Sequence, residues 1–261
     1  IIDDYSSDDT VLVAKKLNAK VVFSGFKHIE KSKSIGVSQA KGDLILFIDA
    51  DIVLLSKYWL SKSVEALINN KDIVGAQNVY WQYKKGHNIF NRYCELFGVN
   101  DPRVYMLGKK GILKPFEKQW MNRRVILKEC EDYWIAKFNT NNLPTLGSQG
   151  YLTWRSLILK ETHWKPYFFH LDSIYELVGK GFNTFALMKL EVEHNYVTDL
   201  WEFHRKLYRN LILFYKFRKY RKYNYDVGSF HFFLTLFLMI TVIYPFLQSL
   251  IGYAKKKDTA W

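Results

Sequence analysis

Leu44-Ile45-Leu46-Phe47-Ile48 runs directly into Asp49-Ala50-Asp51. Five apolar residues without alternation suit a strand covered on both faces, as in a parallel sheet, and the abrupt acidic end sets two carboxylates at the sheet's open edge. Backwards from this point, the pattern predicts a helix over about Lys33 to Ala40, a strand over Lys20 to Ser24 and a helix over Thr10 to Leu17. Before these come a polar turn from Asp4 to Asp9 and the end of a buried strand at Ile1 to Asp3. Forwards, Ser56 caps a helix over about Lys57 to Ile68, and Asp72 to Tyr80 resumes as a strand. Alternating strand and helix predicts an α/β fold, a Rossmann-like, mostly parallel sheet flanked by helices. Ligands of such sheets bind beyond the carboxyl ends of the strands, where both acidic turns fall.

Side chains alternate along extended chain, so in Asp49-Ala50-Asp51 one carboxylate can hold a divalent cation while the other faces sugar or ribose hydroxyls. Such a cation neutralises charge developing on a departing diphosphate. The plainer alternative is a polar strand end leading into a helix. In Asp3-Asp4-Tyr5-Ser6-Ser7-Asp8-Asp9-Thr10, carboxylates can accept from a base N–H or a ribose hydroxyl, with Ser6 and Asp8 ordering the loop, or the turn caps a helix and does nothing more.

Taken together, Ile2-Asp3-Asp4-Tyr5-Ser6-Ser7-Asp8-Asp9-Thr10, Lys33-Ser34-Ile35-Gly36, Ala40-Lys41-Gly42-Asp43 and Phe47-Ile48-Asp49-Ala50-Asp51 resemble the donor half of family 2 glycosyltransferases with a GT-A fold. The resemblance is close over about eighty residues and looser over the next hundred. It implies a nucleotide-sugar donor (UDP-, GDP- or dTDP-sugar) bound by Asp3, Asp4, Ser6, Lys33, Asp49 and Asp51. Asp4 would contact the nucleoside, Lys33 the base or phosphates, and Asp51 with Asp49 would hold Mn2+ or Mg2+. His194 resembles a late histidine that some GT-A enzymes offer to the metal. Gly147-Ser148-Gln149-Gly150 with Trp154-Arg155 resembles the family's glycine turn and basic residue near the acceptor. Phe168-Phe169-His170-Leu171-Asp172 stands in place of its Glu-Asp signature, making Asp172 the candidate base of an inverting transfer, with His170 competing. Two departures stand out: the family's opening strand and its turn have no counterpart, so the natural start is expected upstream, and its usual Arg-Asn pair reads Lys33-Ser34.

From Trp81 to Leu146 the pattern predicts a helix near Asn88 to Phe97, a Gly/Lys-rich loop at Gly108 to Pro115 and a helix near Trp120 to Phe138. Tyr151 to Trp154 and Phe182 to Val192 read as extended, Asp172 to Gly179 as helical. Leu200 to Tyr223 predicts a helix whose aromatics interleave with Arg and Lys, as in a helix lying on a membrane surface. Phe232 to Ile251 then runs about twenty residues without a charge, enough to span a bilayer, although Pro245 would kink it into a re-entrant or hairpin arrangement. The expected organisation is a GT-A-like catalytic domain over 1–199, a basic amphipathic helix over 200–230 and an apolar membrane segment over 231–253.

The charge of +13 over 261 residues suits nucleic acid, anionic lipid or a phosphorylated substrate. Basic residues crowd between Arg205 and Lys222, immediately before the most apolar stretch, which points to a membrane surface with anionic lipid and a catalytic face in the cytoplasm. The acceptor is then membrane-proximal, lipid-linked or a glycan. Cys94 and Cys130 lie far apart without nearby ligand partners, as in a reducing compartment. Nucleic acid is not an expected partner, because carboxylates clustered in a phosphate-binding groove repel it. Two readings compete. Phe47 to Leu54 also fits the opening of a haloacid-dehalogenase-like phosphatase, with Asp49 attacking phosphorus. The other is a non-enzymatic basic membrane-surface protein.

Overall fold

The structure is a computed structural model, and it describes all residues except 27, 148, 224 and 226–228, and at 231 the backbone only. The chain opens with β1 (Ile2–Asp3), α1 (Thr10–Lys16), β2 (Val22–Phe23), α2 (Ile29–Gln39) and β3 (Leu44–Phe47). It continues through β4 (Ile52–Leu54), α3 (Trp59–Ile68), β5 (Ile73–Trp81), α4 (Ile89–Phe97) and α5 (Pro102–Met106). Then come β6 (Ile126–Glu129), β7 (Tyr133–Lys137), β8 (Tyr151–Trp154), α6 (Arg155–Glu161), α7 (His170–Gly179) and β9 (Thr184–His194). The last elements are α8 (Leu200–Phe217), α9 (Phe230–Ile240) and α10 (Ile243–Lys255).

The α/β alternation predicted over the first eighty residues is present. The sheet is mixed, however, and not mostly parallel. β1 and β2 form a small parallel pair, while the larger sheet has the order β3-β8-β5-β9-β7-β6 with β4 attached to β9. Among the described residues, β5 with β9 is its only parallel pairing. An apolar run reports burial of both faces and is silent about the direction of its neighbours. β8 returns from a hundred residues downstream and enters antiparallel between β3 and β5, opposing Phe47 with Tyr151 and Gly75 with Thr153. Phe47 stacks on Phe168 with ring centroids 4.6 Å apart, so α7's approach seals the strand from the other side. Gly75 is needed for this closeness: a Cβ there would lie 2.5 Å from the Tyr151 ring.

Several expected elements are corrected. Trp120 to Phe138 is not a helix but leads into the β6–β7 hairpin, closed by the Cys130 amide donating to the Tyr133 carbonyl at 2.8 Å. Tyr133-Trp134-Ile135 are β-favouring residues, and Trp134 and Ile135 are buried in the sheet, where packing outweighs the helix propensity of the surrounding Lys and Glu. β4 was not anticipated. It forms because Ile52 to Leu54 find an unpaired edge at the end of β9, pairing Ile52 with His194. α8 ends at Phe217 and not at Tyr223. The chain beyond it is pinned to the α/β body, with Tyr223 buried and its hydroxyl donating to the Leu143 carbonyl at 2.8 Å.

The single apolar segment expected over 231–253 is two helices, α9 and α10, bent by 85°. Among the described residues no single helix is long and apolar enough to cross a membrane, and the bent pair meets that test by length and composition only. Thr241 turns extended at the break, and Pro245 falls in the first turn of α10, where amides have no intrahelical acceptor. Proline here starts a helix; it does not kink one. One side of α10 is docked on the protein: Gln248 accepts from the Tyr105 hydroxyl at 2.5 Å, and Gly252 lies so close to Trp261 that a Cβ would meet the indole at 2.4 Å.

Candidate functional site

The site forms where three chain segments meet at the end of β3. α2 presents Lys33 from its second turn, and its ammonium lies 2.8 Å from Asp49 Oδ1. The glycine turn arrives from the other side, with the Gly150 amide donating to the Phe47 carbonyl at 3.0 Å and the Gly147 amide donating to Gln77 Oε1 at 3.0 Å. Gly147 and Gly150 have φ values of 103° and 92°, a region natural to glycine, and a side chain at Gly147 would strike Ile174 and His170. Ser148 of this turn lies outside the described residues.

Asp51 faces a different pair of groups. The Asn195 amide donates to its carbonyl at 2.8 Å, so the β4–β9 pairing brings His194 alongside. His194 Nε2 and Lys206 Nζ each lie 3.7 Å from Asp51 Oδ2. Burial pushes the Asp51 carboxyl up, but His194 and Lys206 outweigh it and the net shift is downward. His194 is buried, tilts against Trp81 with centroids 4.7 Å apart, and its Nδ1 has no partner. Trp81 in turn donates from Nε1 to Gln149 Oε1 at 2.8 Å, linking this corner to the glycine turn.

Among the described residues no group of three or more His, Cys, Asp or Glu side chains converges. The fit of a divalent cation therefore rests on a pair: the Asp51 carboxylate and the buried His194 imidazole, whose Nε2 faces that carboxylate. Of this pair, Asp51 supplies the carboxylate oxygen that a hard cation takes, and the His194 imidazole stands beside it. Asp49 is engaged with Lys33, so its expected share in metal binding is not what its geometry favours.

The first acidic turn is divided in function. Asp3 is buried and accepts from the Ser6 amide at 3.0 Å and the Ser6 hydroxyl at 2.5 Å; these bonds, the hydroxyl's first, lower its pKa. Asp3 and Ser6 thus shape the turn, with Asp3 buried and Ser6 exposed. Asp4 accepts from the hydroxyls of Ser24 and Ser32, the latter at 3.0 Å, and from the Phe26 amide at 3.3 Å. This holds its carboxylate at the mouth of the β1–β2 pair.

Asp172, the expected base, is already engaged by other groups. It is buried in the first turn of α7 and accepts from Arg221 Nε at 2.6 Å, the Tyr223 amide at 2.9 Å and the Lys222 amide. These three bonds tie the carboxylate to the segment after α8. His170, by contrast, lines the cleft; burial, and then the charges of Lys33 and Arg221, hold its pKa well below the usual histidine value. Arg155 starts α6 and does not line the cleft.

Lys33, Asp49, Gln149 and His170 border a 290 Å3 cleft whose far wall is α8. Lys206 faces Asp51, and Arg209, Asn210, Leu213 and Phe214 line the cleft. Their spacing of three and four puts them on one helix face. Trp201, Tyr208, Ile212 and Tyr215 are exposed. The sequence carried this signal as a second periodic stripe within α8, polar toward the cleft, beside the aromatic one that suggested a membrane helix.

Residues 1–130 match the profile of glycosyl transferase family 2. No curated protein matches the chain. Solved structures similar to it include glucosyl-3-phosphoglycerate synthase from Mycobacterium tuberculosis. Its complex with Mn2+ and UDP-glucose is 16% identical, with a TM-score of 0.49 over 82% of this chain and 66% of that one. Its complex with phosphoglyceric acid is 14% identical, with a TM-score of 0.48 over 81% and 66%. A further mycobacterial protein is 16% identical, with a TM-score of 0.46 over 81% and 62%. The chain thus spans slightly under two thirds of the length of these proteins.

Proposed function

Because residues 1–130 belong to glycosyl transferase family 2, we propose that this chain transfers a sugar from a nucleotide-sugar donor to an acceptor bound beneath α8. The observation that carries this reading is the meeting of Lys33, Asp49 and the glycine turn at one strand end. Asp4 takes the nucleoside, Lys33 lies along the diphosphate, and Asp51 with His194 holds Mn2+ or Mg2+. When bound, the cation neutralises charge developing on the leaving diphosphate. Lys206, close to the same Asp51 oxygen, adds a fixed positive charge.

In the transfer, an acceptor hydroxyl oxygen forms a bond to the anomeric carbon. The bond from that carbon to the diphosphate oxygen breaks, its electron pair leaving with the nucleoside diphosphate. The hydroxyl proton passes to neutral His170. Attack opposite the leaving group inverts the anomeric centre.

Thermal-shift titration with UDP-, GDP- and dTDP-sugars, with Mn2+ or Mg2+, tests this directly. One nucleotide class at a hundred times its Kd is expected to raise Tm by roughly 5–10 °C, with the metal required. No response to any nucleotide would overturn the reading.

The acceptor is proposed to be membrane-proximal, lipid-linked or a glycan, with the catalytic face in the cytoplasm. Support comes from α9 and α10, which expose Phe233, Phe237, Ile243, Phe246 and Ile251, next to the basic residues of α8. Flotation with phosphatidylcholine vesicles, with and without phosphatidylserine, is expected to show salt-sensitive binding strengthened by the anionic lipid. A chain that stays unbound in both sinks this part of the reading and leaves the sugar transfer standing.

A further inference from the structure

The arginines and the lysine that line the cleft are paired with carboxylates one by one, Arg209 excepted; Glu30, which also lines it, faces His28 at 3.2 Å. Lys33 is paired with Asp49, Arg221 with Asp172 and Arg103 with Asp101, the last by a two-bonded fork at 3.1 and 2.7 Å. Arg209 has no carboxylate within ion-pair distance among the described residues, and it lines the same cleft. The pairings also leave donors over. Arg103 Nη1 is buried and without a partner, because Asp101 engages only Nε and Nη2. Arg221 gives Nε to Asp172 and Nη2 to the Tyr225 hydroxyl at 3.2 Å, so its Nη1 is not engaged by either.

These guanidiniums are held in place by rings. Arg103 lies over Phe214 at 4.8 Å, and Arg221 over Phe169 at 4.7 Å. Stacked, pre-oriented guanidiniums lose little freedom when they bind an anion, and their planar forks match phosphate oxygens. An unsatisfied buried Arg donor costs stability in the free protein, and a ligand oxygen removes that cost. The depressed His170 pKa has the same origin in part, since Lys33 and Arg221 add to the burial that lowers it.

We infer that Arg103, Arg209 and Arg221 bind a phosphate group on the acceptor, close to the hydroxyl that receives the sugar. This rests on the sugar-transfer reading for the word acceptor, but the anion site itself does not. The three arginines come from α5, α8 and the segment after α8, so the phosphate would tie those segments together over the cleft. The donor's diphosphate is assigned its own cations, Lys33 and Lys206, which meet Asp49 and Asp51. The phosphate is either that of a soluble phosphomonoester or the headgroup of a lipid phosphate.

The test is calorimetric titration of the full chain, already saturated with Mn2+ and its preferred nucleoside diphosphate, with glycerol 3-phosphate and with dioctanoyl phosphatidic acid. Glycerol serves as the uncharged control. Binding of a phosphorylated probe is expected, with Kd raised about tenfold or more in Arg209→Gln and no heat from glycerol. Arg209 has no ion pair among the described residues, so this variant is expected to keep the wild-type Tm and nucleotide affinity. Tighter binding of the phosphatidic acid assigns a lipid source, and equal binding assigns a soluble one. Phosphate binding that is unchanged in Arg209→Gln, or no binding of either probe, overturns the inference. If no nucleoside diphosphate binds at all, the probes are titrated alone; loss of affinity in Arg209→Gln then keeps the anion site while the transfer reading falls.

Discussion

Asp51→Ala lowers the rate of sugar transfer by about a thousandfold, the scale of several kcal/mol of charge stabilisation at a leaving diphosphate. The side chain sits between His194 and Lys206, both 3.7 Å from one carboxylate oxygen. Its removal deletes the only carboxylate of the proposed cation pair. The fold should survive, because Asp51 is fixed through its main chain by the Asn195 amide and the β4–β9 pairing, neither of which uses the side chain. Single-turnover rates with saturating donor, read alongside Tm, separate the two effects. A variant within tenfold of wild type would show that the diphosphate leaves elsewhere. The lowered Asp51 pKa has a sign that can be checked too. A carboxylate whose folded pKa lies below its unfolded value of 3.8 contributes stability above that value and loses it as pH falls through the folded one.

Asp172→Asn is expected to destabilise the protein by about 3 kcal/mol, because it leaves the largely buried Arg221 guanidinium without its counter-charge. For a chain of this size that is a fall in Tm of roughly 6–12 °C. The variant also separates two candidate bases. His170 is a base only when neutral, and its depressed pKa keeps it neutral to well below the usual histidine range. The acid limb of kcat/KM should then lie below pH 6.5, the ordinary value for the group. His170→Gln removes this limb and lowers kcat by about a hundredfold. Asp172→Asn, assayed below its melting range, raises the acceptor KM through the loosened Arg221 and leaves the limb in place. An acid limb abolished by Asp172→Asn alone would return the proton to Asp172.

What was legible in the sequence was local. The Asp3–Ser6 turn closes through bonds between residues three apart, whereas the apolar run ending in Asp49 and the glycine turn are recognisable by their residue types although their bonds run to distant partners; the order of all three along the chain carries the family resemblance. What was not legible depends on distant partners. Phe47 does not reveal that Tyr151 will lie opposite it, and Tyr133 to Ile135 become a strand because β9 offers an edge at Ala186 to Met188. Asp172 looked like a base because its position matched a signature, and only the arrival of Arg221, 49 residues on, shows what it holds. The α8 cations were hidden in a different way. Arg209 and Lys206 were visible as charge, but composition credits a basic helix to a lipid surface and cannot tell which face turns inwards. Hydropathy likewise measured the length of 231–253 and missed the turn at Thr241.

The pairing order of the larger sheet constrains how the protein is born. Among the described residues, every ladder in that sheet includes a strand lying after residue 130: β3 and β5 meet only through β8, β4 and β5 both lean on β9, and β6 closes on β7. The half that carries the family signature holds no ladder of the larger sheet by itself. On the ribosome, the apolar run Leu44 to Ile48 must wait about a hundred residues for β8, and β5 about forty more for His194 to complete β9, a long interval with unpaired edges exposed. Assembly is then expected to be late and abrupt, with chaperone dependence concentrated in that interval.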